Sequence, residues 1–124
     1  MQRTVLIVDD SQVVRTSVRH TLERQGYKVV EAKHGREGIS VLNGLSSTDR
    51  PSMIITDVNM PEMDGISFIK EVKKTLHRFT PILVLTTEAQ ADKKNEGKAA
   101  GATGWLVKPF TEEQLTAVVK KLIR

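Results

Sequence analysis

Val5-Leu6-Ile7-Val8 is an unbroken apolar run, too short for a helix and rich in β-branched side chains, and two aspartates follow it at once. Such a run reads as a strand buried on both faces, since a half-exposed strand would alternate apolar and polar residues. Comparable runs recur at Met53-Ile54-Ile55, Pro81-Ile82-Leu83-Val84-Leu85 and Trp105-Leu106-Val107. A weaker one from Tyr27 to Ala32 is interrupted by Lys28 and Glu31. Between the runs the apolar spacing becomes helical. Ser11 caps a predicted helix to about Gln25 with Val14, Val18 and Leu22 inward, and Gly26 ends it. A second helix from about Gly35 carries Ile39, Leu42 and Leu45 and leads into a loop from Ser46 to Pro51. A third places Ile66, Ile69, Val72 and Leu76 inward. The segment from Glu88 to Ala100 is polar and holds Gly97, which makes it the weakest helical signal. Thr111 caps the last helix, with Glu112 and Glu113 in its first turn and Leu115, Val118, Val119 and Leu122 inward. Lys120, Lys121 and Arg124 stand at its negative end. Five strands alternating with five helices predict an α/β fold, a doubly wound (βα)5 sandwich around a parallel sheet.

Composition narrows the classes of function. A chain of 124 residues is the size of one domain, 1–124, without linker or repeat. The absence of cysteine excludes disulfide scaffolds, thiolate metal sites and cysteine nucleophiles. No apolar run approaches the roughly 20 residues that cross a bilayer. The start, Met1-Gln2-Arg3-Thr4, does not read as a signal peptide, so the expectation is a cytoplasmic protein with no membrane partner. Five scattered aromatic residues make no stacking platform for single strands. The formal +4 charge is spread over several helices and no output domain follows Arg124, so no nucleic-acid partner is expected.

In parallel sheets of this kind the site lies outside the carboxyl ends of the strands. Asp9 and Asp10 follow the first run, Asp57 follows Ile55-Thr56, Thr86 and Thr87 follow Leu85, and Lys108 follows Val107. Singly, each is more often a cap, a turn or a surface charge. Together they fall on one edge of one sheet, and coincidence becomes the weaker reading. Crowded carboxylates repel, so either their pKa values rise or a cation binds. Oxygen donors without histidine or cysteine favour a hard ion, Mg2+ above all. With it bound, one carboxylate can attack a phosphoryl group, while Lys108 and a threonine hydroxyl neutralise the phosphoryl oxygens. Asp57 stands alone on the central strand and is the candidate nucleophile; Asp9 and Asp10 look like a metal-binding pair.

Val8-Asp9-Asp10, Asp57-Val58-Asn59-Met60-Pro61-Glu62-Met63-Asp64-Gly65, Thr86 and Lys108-Pro109-Phe110 resemble the signature of response-regulator receiver domains, most of all the single-domain chemotaxis receivers. The resemblance covers essentially the whole chain. It implies the CheY-like, flavodoxin-like strand order 2-1-3-4-5. It also implies a phosphorylation switch, not an enzyme acting on a separate substrate, in which Asp57 accepts phosphate from a sensor histidine kinase. Asp10, Asp57 and the Asn59 backbone carbonyl would hold Mg2+, with Asp9 acting through water. Lys108 would pair with the phosphoryl group and precede a cis Pro109. Thr86 and Trp105 would form the switch, Trp105 standing where tyrosine or phenylalanine is usual. Asn59 and Glu88 would tune dephosphorylation. Val58 stands where some chemotaxis relatives carry tryptophan.

The resemblance further implies a monomer whose target face, between the fourth helix, fifth strand and fifth helix, carries Lys93, Lys94, Lys98, Trp105, Lys120 and Lys121. An acidic target such as the flagellar motor switch would dock there when Asp57 is phosphorylated. The alternative is a phosphorelay intermediate or phosphate sink serving histidine domains. A flavodoxin would need a hydroxyl and glycine cradle where Asp9 and Asp10 stand. An aspartyl phosphatase would need an aspartate at Asn59. His20, His34 and His77 form no cluster and are expected at the surface without a role.

Overall fold

Alternate residues of the buried strands feed two separate cores. Leu6, Val8, Ile54, Ile82 and Val84 point into one, and Val5, Ile7, Met53, Ile55, Leu83 and Leu85 into the other. This division is the period-two geometry of a strand applied to a sheet with helices on both faces. A computed structural model describes residues 2–45 and 49–123. The part of the expected loop at residues 46–48, the chain start at Met1 and the helix-end cation Arg124 lie outside the described residues.

The elements run β1 (Thr4–Val8), α1 (Gln12–Arg24), β2 (Lys28–Ala32), α2 (Gly35–Gly44), β3 (Pro51–Thr56), α3 (Gly65–Val72), β4 (Ile82–Thr86), α4 (Ala91–Ala100), β5 (Gly104–Val107) and α5 (Glu112–Leu122). The sheet is parallel, in the order β2-β1-β3-β4-β5. Helices α1 and α5 cover one face through Val18, Leu22, Leu115 and Val119. Helices α2 and α3 cover the other through Leu42, Ile66, Phe68, Ile69 and Val72, with Ala100 of α4 packed beside them.

Three local expectations give way. Helix α3 ends at Val72, so Leu76 is not on an inward stripe; it stands 77% exposed in the turns before β4. Its spacing from Val72 is helical, but the backbone has already left the helix. His77, expected at the surface, is buried. His34 is the N-cap of α2, its Nδ1 accepting the Glu37 N–H. Helix α4 does form despite its polar sequence. Its seat is a close approach: a Cβ on Gly97 would stand 2.6 Å from Cζ3 of Trp105, so only glycine lets the indole lie against the helix.

Candidate functional site

Strand register brings the polar residues together. Val8 pairs with Thr56 across β1 and β3, so Asp9 and Asp57 leave the sheet side by side, joined where the Asp57 N–H donates to the Val8 carbonyl. Thr86 pairs with Val107, and the Lys108 N–H donates to the Thr86 carbonyl. Lys108 therefore emerges level with the two aspartates, and its bond to Pro109 is cis.

The Lys108 ammonium lies between two carboxylates, 3.0 Å from Asp9 Oδ2 and 3.2 Å from Asp57 Oδ2. The other oxygen of each aspartate is fixed by backbone. Asp9 Oδ1 accepts the Ser11 N–H at 2.9 Å, and Asp57 Oδ1 accepts the N–H groups of Val58 and Asn59 at 2.6 and 3.3 Å. Oxygens of Asp9, Asp10 and Asp57 lie within 4.8 Å of one another; Asp10 is exposed and the other two are buried. Burial pushes the Asp9 carboxyl above its ordinary range; the Ser11 N–H and Lys108 oppose this, and the charge of Asp57 adds to it. Burial works against the Lys108 charge too, but Asp9 and Asp57 outweigh it and hold the ammonium above its usual range. An all-oxygen carboxylate set of this spacing could hold a hard divalent cation.

The loop after β3 is shaped to leave this edge open. A cleft of about 400 Å3 runs from Asp10 past Val58, Asn59 and Met60 to Asp64 and Lys93. Glu62 adopts φ 68°, a left-handed conformation unusual for a residue with a side chain. Gly65 then passes so near that a Cβ there would stand 2.0 Å from the Asp57 carbonyl oxygen. Asp64 caps α3 through the Ser67 N–H at 2.9 Å. Burial of the Asp64 carboxyl is outweighed by its Ser67 hydrogen bonds, with Ile66 and Lys93 adding, and its pKa falls below the ordinary range.

Thr86 is fully buried, and its hydroxyl accepts the Glu88 N–H at 3.2 Å. The Glu88 carbonyl in turn accepts the Trp105 indole N–H at 3.0 Å. Glu88 thus ties the threonine at the end of β4 to the aromatic residue of β5, while its side chain accepts the Gln90 N–H. The six residues expected on one face divide. Lys93 stands on the rim of the acidic cleft with Asp10 and Asp64, whereas Lys94 and Lys98 line a groove with Trp105. Lys120 and Lys121 are exposed on the last turn of α5.

Two residues take roles here that the sequence does not assign them. Arg15 is buried, donates from Nη1 to the Asp9 carbonyl and pairs with Glu31 at 2.9 Å, bracing the turn after β1. Its signal was present: a charged residue three before Val18 on the inward stripe, facing a charge that interrupts β2. Gly97 had none, because its partner Trp105 lies on another element.

The model of the response regulator receiver domain matches residues 5–120. Response regulator MprA of Mycolicibacterium vanbaalenii is 38% identical over 97% of this chain and 50% of its own. The alkaline phosphatase synthesis transcriptional regulatory protein PhoP of Bacillus subtilis is 34% identical over 100% of this chain and 50% of its own. The chain thus spans about half the length of these curated relatives. Chemotaxis response regulator CheY4 of Vibrio cholerae has a solved structure that superposes with a TM-score of 0.91 at 47% identity, covering 99% of this chain and 100% of that one. With the acidic edge, the strand order and the family match in agreement, the chain belongs to the response regulator receiver domains.

Proposed function

We propose that residues 1–124 act as a cytoplasmic phospho-receiver switch in which Asp57 is the phosphoacceptor. The observation that carries this is the Lys108 ammonium standing between Asp9 and Asp57 at the open edge of the sheet. With Asp57 Oδ1 held by two backbone N–H groups, Oδ2 attacks the phosphorus of a phosphohistidine on a sensor kinase. The P–N bond breaks as the O–P bond forms, and the imidazole leaves with the electron pair and takes up a proton. Lys108 then exchanges its carboxylate contacts for phosphoryl oxygens and stabilises their charge. Asp10, Asp57 and the Asn59 carbonyl, with Asp9 through water, are the residues to hold Mg2+. Bound there, that ion would supply charge neutralisation at the phosphoryl oxygens.

Thr86 reports the event by giving up the Glu88 N–H for a phosphoryl oxygen. This loosens the carbonyl that anchors the Trp105 indole, and Trp105 moves. Asn59, whose N–H donates to Asp57, and Glu88, whose N–H donates to Thr86, set how readily water reaches the acceptor. The output surface in this reading is the groove of Lys94, Lys98 and Trp105, with Lys120 and Lys121 on α5 and Lys93 on the rim of the acidic cleft as further cations. Its lysines suit an acidic target. Likeness to the chemotaxis response regulator CheY4 over 99% of this chain and 100% of that one supports a chemotaxis role, in which the flagellar motor switch would be the target. The half-length match to PhoP, a transcriptional regulatory protein, favours a second reading, in which the same switch controls transcription.

Incubation with acetyl phosphate and Mg2+, followed by intact mass, tests the switch. One phosphoryl adduct is expected, with a change in Trp105 fluorescence, and both are lost in Asp57→Asn. An adduct at full occupancy in Asp57→Asn would overturn the assignment. Capture of a motor-switch protein by the phosphorylated form alone would separate the first reading from the second.

A further inference from the structure

The amino ends of the strands, opposite Asp57, carry a surface that the phosphorylation switch does not use. Leu76 and Phe79 stand 77% and 78% exposed in the turns between α3 and β4. Two open grooves of about 220 Å3 each meet there and share Arg50 and Leu76 as a common wall. Leu42 and Leu45 floor the inner groove, and Phe79 borders the outer one beside Pro51 and Pro81. Pro51 starts β3 and Pro81 immediately precedes β4, so the length of a strand, roughly 20 Å, separates this surface from the acidic edge.

The charge here is cationic. The Arg78 guanidinium lies over the Phe79 ring, 4.9 Å from its centroid. Arg50 donates from Nη2 to the Leu76 carbonyl at 3.0 Å. Neither arginine forms an ion pair among the described residues, and each keeps donors of its five for a carboxylate. Arginine beside an exposed aromatic ring is the composition of binding hot spots. Two copies meeting through this face would bring like charges together. A lipid surface calls for a flat or convex apolar face, whereas paired grooves suit an extended chain whose alternate side chains drop into them.

We propose that this end of the sheet is a docking surface for an extended segment of a partner protein that carries carboxylates among apolar side chains. Leu76 and Phe79 take the apolar side chains, and Arg50 and Arg78 take the carboxylates. Because the surface is a strand's length from Asp57, docking is independent of phosphorylation.

The test is selection of a phage-displayed random peptide library against the whole chain, then fluorescence polarisation with the selected peptides. Acidic residues next to leucine or phenylalanine are expected among them. Binding should fall by about tenfold or more in Leu76→Asp and in Phe79→Asp, the loss expected for hot-spot residues. Both positions are exposed, so each variant is expected to fold, which circular dichroism checks. Asp57→Asn and Lys94→Glu should bind as the unaltered chain does, which separates this site from the switch and its output face. Selection that yields no peptide, or only peptides indifferent to both substitutions, overturns the proposal. So does a wild-type dimer that Leu76→Asp dissociates, which would make the occupant a second copy. Recruitment to phosphatidylserine vesicles lost in Leu76→Asp would equally replace the peptide by a lipid surface.

Discussion

Lys108 and His77 stand near opposite ends of the same sheet, and burial works against the charged form of each. The outcomes are opposite. At the carboxyl end Asp9 and Asp57 outweigh burial, and the ammonium is held above its ordinary range. At the amino end burial prevails and pushes the His77 imidazole below the usual histidine value; the Leu42 backbone opposes this and the charge of Arg50 adds to it. The fold withdraws both groups from water but supplies counter-charge to only one. Paired charge at one edge of the sheet therefore marks a site, and burial of an ionisable group alone does not.

The contrast breaks most severely if Lys108 loses its charge. Lys108→Met leaves Asp9 and Asp57 facing each other without the cation that both contact. In divalent-free buffer this should cost about 1–3 kcal/mol, the penalty of leaving buried polar groups unpartnered, read as a lower urea midpoint. An unchanged midpoint would mean that the lysine does not offset the burial of the aspartates.

How much of this was legible in the sequence follows from where the determining contacts lie. Asp9, Asp57, Thr86 and Lys108 each end an apolar run, so local sequence marks them and topology alone assembles them. Arg15 and Glu31 could be seen as charges in inward positions, but pairing them required knowing that α1 packs against β2. Periodicity alone carries the inward stripe of α3 on to Leu76, because it does not sense a backbone turning away after Val72. Helix α4 carries little apolar signal because its seat is Gly97 against the Trp105 ring, an approach between elements. His77 is buried in the turns after α3, and a single histidine has no period by which the sequence would announce this.

A smaller effect sharpens the amino-end half of the contrast. An ordinary histidine titrates near 6.5, and folded His77 lies below that. As pH drops below 6.5 the unfolded chain takes a proton that folded His77 resists. The group's contribution is therefore fully present above pH 6.5 and is lost as pH falls through the folded value. Urea midpoints of wild type and His77→Gln should run parallel above pH 7 and converge or cross below 6.5, the wild type falling faster. Parallel lines down to pH 5 would show that His77 titrates as it does in the unfolded chain.

The smallest effect separates the causes acting on His77. Arg50 lowers its pKa by repulsion, but burial is the larger cause. Arg50→Gln removes the repulsion and leaves most of the burial, since Arg50 is itself exposed. An NMR titration of the His77 ring protons should move upward in this variant and still lie below 6.5. Added salt should move the wild type in the same direction and the variant hardly at all, because ions screen a charge pair but not desolvation. A variant value above 6.5 would make Arg50, rather than burial, the reason that His77 stays neutral. The two ends of the sheet would then differ only in the sign of the neighbouring charge.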